Sequence, residues 1–293
     1  MAKRRSKQPA PTAAAPPGPV IGVCADPPGD RRLLKTAARL AVDEELTFLE
    51  KPRVRGFEML LVVTPKRLEL RIVGGDKLLR GGRPVVVDAS RLDVTSPAGR
   101  RLKQPIAKAV GLKRLRDIEE QPPAIIDATA GWGGDSFLLA SLGCRILAVE
   151  RQAIVATLLR DGALRAAAWR PQLFDQLTVL HCEAAPLLRR LTSARRAADA
   201  DLPERLAHFL RPDVIYLDPM FPARSRLEAK PMRVLRRLAG DDDDASRLLA
   251  AARRVARHRV VVKRPLRAEA LGDAEPTTAF KGKAVRYDVY VKP

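Results

Sequence analysis

The 293-residue chain is predicted to be α/β, with a Rossmann-like, mostly parallel sheet whose last strand returns antiparallel, preceded by a small N-terminal α+β domain. Three observations predict this. After Pro122-Pro123, short apolar runs alternate with stretches of helical periodicity, as strands joined by crossover helices do. Two of those runs end in an acid followed by a turn rich in glycine or proline, as at the ligand-binding edge of an open α/β sheet. Before Pro122 the texture differs: an alternating apolar and charged run sits beside a turn containing proline.

Residues 1–19 carry four positive charges, no negative ones and five prolines, so they read as a disordered basic tail. Residues 20–121 form the small domain. Leu33, Leu34, Ala37, Leu40 and Ala41 fall at helical spacing within 31–49. Phe57-Glu-Met-Leu-Leu-Val-Val63 and Arg67-Leu-Glu-Leu-Arg-Ile-Val73 flank Thr64-Pro65-Lys66, which predicts a hairpin. Val85-Val86-Val87 predicts a further strand, and 104–111 a short capped helix.

Residues 122–293 form the second domain. Strands are expected at 124–127, 145–150, 177–181, 213–218, 259–263 and 286–291. Helices are expected near 136–142, up to about 169, up to about 198, and near 245–257. Gly282 marks a turn before the antiparallel last strand. The Ala- and Arg-rich stretch 192–211 reads as a helical, solvent-facing insertion.

Composition narrows the function. The chain is 46% hydrophobic, enough to bury a core, and its 54 Lys and Arg against 34 Asp and Glu give a net charge of +20. That excess favours a polyanionic partner. No apolar run reaches the roughly 18 residues needed to span a bilayer, and the segment after Met1-Ala-Lys-Arg-Arg5 lacks the apolar core of a signal peptide. Cys24, Cys144 and Cys182 form no Cys-x-x-Cys pair, and His181, His208 and His258 show no metal-ligand spacing. Neither a disulfide framework nor a metal site is expected, and a reducing cytoplasm fits best.

Three constellations carry chemistry. In Asp127-Ala-Thr-Ala-Gly131-Trp-Gly133-Gly134-Asp135-Ser136 an apolar strand ends in a carboxylate and runs through a glycine-rich turn into a helix. Glycines let backbone approach a ligand, and the helix start offers free N–H groups. Asp127 suits a ligand with a cationic amino or sulfonium group. The NAD fingerprint G-x-G-x-x-G is not met, because Asp135, Ser136 and Phe137 follow Gly134. Glu150, at the end of the next strand, has the position from which a carboxylate accepts ribose hydroxyls, with Arg151 beside it. Asp218-Pro219-Met220-Phe221-Pro222 ends a buried strand. There Asp218 and the Pro219 carbonyl can accept hydrogen bonds from an exocyclic amine, and Phe221 can stack on a flat base.

Together these motifs resemble the RsmJ family, the bacterial 16S ribosomal RNA (guanine-N2)-methyltransferases, within the class I S-adenosylmethionine-dependent methyltransferases. Ala107-Lys-Ala-Val-Gly111, Leu142-Gly-Cys-Arg145, Val260-Val-Val-Lys-Arg-Pro265 and Lys281-Gly-x-x-x-Arg-Tyr-Asp288 extend the similarity from about Phe57 to the C-terminus. The resemblance implies a class I methyltransferase sheet, S-adenosyl-L-methionine as cofactor, and 16S ribosomal RNA or the small subunit as partner. It implies cofactor contacts at Gly134 and Asp135, at Glu150 and Arg151, at Glu183 and Ala184, and at Asp218, which is also the acid of the catalytic Asp-Pro motif. Glu183 and Ala184 depart from the small hydroxyl residues frequent there in the family.

Basic stretches at 100–116, 224–237 and 253–267 are candidates for phosphate contact, the last two because they flank the Asp-Pro motif and the strand after it. The acidic run 241–244 reads as a loop and helix start. Two other functions share parts of the pattern. An NAD-dependent oxidoreductase shares the glycine loop and the ribose acid, and a methyltransferase acting on another nucleic-acid amine shares all three constellations.

Overall fold

The structure, a computed structural model, describes residues 18–52, 55–94, 96, 102–194, 196–220, 229–240, 244–272 and 274–292. The basic tail up to residue 17, Arg100, Arg101, Phe221 and most of the acidic run lie outside the described residues.

Strands β1 (Ile21–Ala25), β2 (Thr47–Phe48), β3 (Met59–Val63) and β4 (Leu68–Ile72) make a small sheet in the order β2-β1-β3-β4. The expected hairpin is β3-β4, with Met59 opposite Ile72 and Val63 opposite Leu68. The Thr64 hydroxyl closes its turn, donating to the Arg67 carbonyl at 2.7 Å and accepting the Arg67 N–H at 3.1 Å. β1 runs parallel to β3. It escapes pattern reading because it is buried on both sides and so shows no alternation. Helix α1 (Arg31–Asp43) is capped by Asp30, whose side chain accepts from the N–H groups of Arg32 and Leu33. It stops short of residue 49 because Glu45 turns left-handed, φ 53°, and the chain enters β2.

Val85-Val87 is not the strand expected. It makes a single bridge, Val85 to Leu70, and otherwise packs on a helix of the second domain, α5 (Ala153–Trp169). The contact is so close that a Cβ on Gly162 of α5 would lie 2.3 Å from Val87 Cγ1. Arg165 of α5 donates to the Val87 carbonyl at 2.6 Å.

Among the described residues the large sheet comprises β5 (Ala124–Asp127), β6 (Arg145–Glu150), β7 (Leu177–His181), β8 (Val214–Leu217), β9 (Arg259–Pro265), β10 (Thr278–Lys281) and β11 (Val285–Val291), in the order β10-β11-β9-β8-β5-β6-β7. β5 to β9 pair in parallel, and β11 is antiparallel to both its neighbours. The expected antiparallel last strand is present. β10, read from sequence as the approach to a turn, pairs with it along the sheet edge.

Alternation divides the burial. Ile125, Ile146 and Val261 face one layer, which includes α4 (Gly134–Ser141) and α5. Ile126, Leu147 and Val260 face the other, with α7 (Ala184–Ser193) and α9 (Ala245–Val255). The first layer runs without a break into the small sheet through Val23, Leu61 and Leu70. Helices α2 (Pro105–Ala109) and α3 (Leu112–Ile118), which a boundary at 121/122 assigns to the small domain, pack into this same layer.

The stretch 192–211 departs from expectation. Instead of a solvent-facing helix it makes two 3-10 segments, Ala197–Ala200 and Glu204–Phe209. Leu202, Leu206 and Phe209 are buried in the second layer. Pro203 precludes a continuous helix, and these three apolar side chains fill space beneath β5 and α7. Helix α6 (Pro171–Phe174) and helix α8 (Lys230–Ala239) were not foreseen.

Candidate active site

The chain leaves β5 toward β6 on one side and returns through β8 to β9 on the other. The crevice between β5 and β8 is therefore the topological switch point, where open α/β sheets bind ligands. A cavity of about 850 Å³ opens there, within the range of about 300–1,000 Å³ usual for small-molecule sites. Asp127, Gly131, Gly134, Asp135, Glu150, Arg151, Glu183, Ala184, Asp218 and Pro219 all line it. Residues spread over more than ninety positions thus meet in one space. Phe221 lies outside the described residues.

Gly131 and Gly133 take left-handed backbone conformations, φ 52° and 77°. Gly133 does not line the cavity. It shapes the turn into α4, and a Cβ there would lie 2.3 Å from Leu159 Cδ1. Gly134 opens α4 with clear space around it.

Asp127 is 2% exposed and accepts the Ser136 hydroxyl at 2.5 Å and the Thr129 N–H at 3.2 Å. Burial pushes its pKa up to about 7; the nearby Asp135 and Asp218 carboxylates add to the rise, against the two hydrogen bonds. A folded-state value above the unfolded one means the protonated form is favoured by folding. The associated stability is present below about pH 4 and is lost as pH rises through about 7. Asp127→Asn is expected to abolish that slope. The stability gap between variant and wild type should move by a few kcal/mol between pH 4 and 7. Denaturant melts of the ligand-free protein across this window check it, and a pH-independent gap contradicts it.

Glu150 is 6% exposed. Its two carboxylate oxygens accept the backbone N–H of Gly131 at 2.9 Å and of Gln152 at 2.7 Å. These bonds aim the carboxylate along the cavity wall. Arg151 donates to the Ala239 carbonyl at 3.0 Å, at the C-terminal end of α8.

Helix α8 roofs the cavity with Met232, Leu235, Arg236 and Ala239. Trp132 Nε1 donates to the Pro231 carbonyl at 3.0 Å. Arg237 pairs with both oxygens of Glu58, at 2.9 and 3.1 Å, and Lys230 donates to the carbonyls of Gly81 and Arg83. The small domain therefore holds the roof in place.

At the edge of β8 the Asp218 N–H donates to Thr129 Oγ1 at 2.6 Å, which joins the Asp-Pro turn to the glycine loop. Lys263 of β9 reaches Asp135 Oδ2 at 2.8 Å and Asp218 Oδ2 at 2.9 Å. The Tyr216 hydroxyl donates to the same oxygen of Asp135 at 2.6 Å. Burial alone would lower the Lys263 pKa. The Asp218 and Asp135 carboxylates outweigh it, so the ammonium is held charged. Reading single motifs missed Lys263, Tyr216 and α8. The available signal was a lone lysine following Val260-Val-Val, one register step past Leu217.

The basic stretches need correction. Arg253 and Arg254, in the last turn of α9, and Arg257 and Arg259 lie at the opposite end of the parallel strands from the cavity, because β9 begins there. Arg257 is engaged with Glu119 at 2.9 Å and Asp213 at 3.4 Å. Among the described residues the cations that line the cavity are Arg151, Arg236, Lys263 and Arg264; residues 224–228 of the second basic stretch lie outside the described residues. Glu119, Asp213 and His258 converge closely enough to hold an ion, but the Arg257 guanidinium already sits on both carboxylates. Among the described residues no helix is long and apolar enough to cross a membrane.

The family model described as "Putative SAM-dependent methyltransferase" matches residues 48–292. Proteins named ribosomal RNA small subunit methyltransferase J are similar over most of their length. The one from Photobacterium profundum is 40% identical over 286 residues, 92% of this chain and 96% of that protein. The one from Thioalkalivibrio sulfidiphilus is 40% identical over 240 residues, 80% and 86%. The crystal structure of a SAM-dependent methyltransferase from Neisseria gonorrhoeae superposes with a TM-score of 0.64 at 30% identity, covering 92% of this chain and 95% of that one.

Proposed function

The chain belongs to the S-adenosylmethionine-dependent methyltransferases of the ribosomal RNA small subunit methyltransferase J family, and from that premise we propose that it methylates the exocyclic N2 amine of a guanosine in 16S ribosomal RNA. The hydride-transfer alternative falls with this membership. The observation that carries the reading is the joining of the glycine loop, the Glu150 edge and the Asp218-Pro219 turn around one cavity.

The residues fit the cofactor. Glu150 offers a buried, pre-aimed carboxylate for ribose, the open approach at Gly134 admits a ligand close to backbone, and the acids at Asp127 and Asp135 suit a cationic group. Glu183 and Ala184, at the start of α7, provide the third wall. When bound, S-adenosylmethionine supplies a methyl group on a sulfonium.

Guanine N2 is a poor nucleophile because its lone pair is delocalised into the ring. Asp218 and the Pro219 carbonyl, accepting its two N–H bonds, turn that lone pair toward the methyl. Alignment then does most of the catalytic work. The nitrogen gains the methyl and gives up one proton. The base must leave its stack to reach the cavity, with Phe221 as its platform. Arg236, part-exposed on the cavity wall, is the cation this reading assigns to a backbone phosphate of the displaced strand, whereas Arg264 is buried with its guanidinium on the Glu269 carbonyl. With ribosomal RNA as substrate, the protein works in the cytoplasm.

Incubation with labelled S-adenosylmethionine and small-subunit particles or free 16S RNA, followed by nucleoside mapping, tests this. N2-methylguanosine is the expected product. Label in another nucleoside overturns the base assignment, and none in RNA overturns the substrate class.

A further inference from the structure

We propose that Lys263 is a positioning residue for the transfer: its ammonium clamps the acceptor-binding carboxylate of Asp218 to Asp135 at the start of the cofactor loop helix, so that Asp218 serves as a fixed, ionised hydrogen-bond acceptor.

The geometry carries this. Asp218 follows β8 and Asp135 lies in the first turn of α4, and one side chain from β9 reaches an oxygen of each at 2.9 and 2.8 Å. Three elements are thereby locked at the point where cofactor and acceptor base would meet. Without the ammonium, two carboxylates would face each other across a part-buried space, where like charges favour protonating one of them. Among the described residues the groups around the clamp are Asp127 on β5, Asp135 on α4, Tyr216 on β8, Asp218 after it, and Tyr287 on β11. Both tyrosines have raised pKa values, with burial the largest cause, and stay neutral, and among the described residues Lys263 is the cation paired with both acids. The Tyr216 hydroxyl holds the far side of the clamp by donating to Asp135.

The clamp bears on where the proton goes. A carboxylate paired at 2.9 Å with an ammonium is a weakened base. It orients the amine as an acceptor, and the proton released when the N–C bond forms and the S–C bond breaks passes to water. This step rests on the methyl-transfer reading above, whereas the clamp itself can be tested without it.

The test is a ¹³C NMR titration of the aspartate carboxyls of the ligand-free protein, with Asp218 assigned by difference from Asp218→Asn. In Lys263→Met the Asp218 midpoint should rise by about one pH unit or more, a tenfold or greater change in its ionisation constant. Lys263→Arg should restore it in part. Asp135→Asn combined with Lys263→Met should bring it back toward wild type, because the like charge goes with the clamp. If RNA is methylated, the acid limb of kcat should move by the same amount in Lys263→Met, with KM for S-adenosylmethionine changed less. A Lys263→Met protein with wild-type circular dichroism and an unmoved Asp218 midpoint overturns the inference whatever the substrate is. Absence of RNA methylation in wild type with a shifted midpoint overturns the functional reading and leaves the clamp standing.

Discussion

Asp218→Ala is expected to lower the rate of methyl transfer to 16S ribosomal RNA by a factor on the order of 10² or more, the cost of losing alignment of the acceptor, while cofactor affinity stays within about threefold, less than a kcal/mol. The variant removes the acceptor that would hold the exocyclic amine but leaves the backbone of the turn. The Asp218 N–H still donates to Thr129, and Lys263 keeps Asp135 as partner. The loss should appear in kcat more than in the KM for cofactor, since the missing contact is one made to the reacting nitrogen. Single-turnover rates and calorimetric titration with S-adenosylhomocysteine separate the two. A variant that turns over at the wild-type rate would show that Asp218 does not touch the acceptor.

The second large effect is expected at Glu150. Glu150→Ala should weaken S-adenosylmethionine binding by about a hundredfold or more, since hydrogen bonds to a charged group contribute roughly 1.5–3 kcal/mol each and two ribose hydroxyls are involved. It should also lower stability, because the N–H groups of Gly131 and Gln152 lose a charged acceptor in a buried place. Calorimetry measures the first effect and thermal unfolding without ligand the second. A variant less stable but unchanged in affinity would make Glu150 a structural anchor of the loop alone.

The two predictions differ in how visible their residues were. Glu150 and Asp218 both end strands whose apolar runs are unmistakable, so their place at the sheet's ligand edge follows from one dimension of pattern. Lys263 carries no such mark. A lysine at a strand's end is usually solvated, and only the pairing of β8 with β9 brings its ammonium to Asp218 and Asp135. Basic stretches misled for the same reason. A cluster in sequence says nothing about which end of a strand it occupies, and Arg257 and Arg259 fall at the end opposite the cavity.

Helix α8 makes the point for long-range contacts. Its sequence, Lys-Pro-Met-Arg-Val-Leu-Arg-Arg-Leu-Ala, offers basic residues that read as free for phosphate. In the fold, Arg237 is spent on Glu58 and Lys230 on two carbonyls of the small domain. What looked like RNA-binding charge partly fastens a roof.

The sequence by itself determined the alternation that makes a mostly parallel sheet, the antiparallel return of the last strand, and the strand-ending acids Asp127, Glu150 and Asp218. These are local properties: periodicity, chain breaks and the chemistry of adjacent residues. The tertiary structure alone decided that Lys263 joins two of the acids' neighbourhoods, that α8 closes the cavity, that 192–211 is packed inward, and which arginines face the site. Those outcomes depend on strand order and on contacts between residues up to 179 positions apart, as in Glu58 and Arg237. A linear pattern records which face a residue lies on, but not what the fold brings against it.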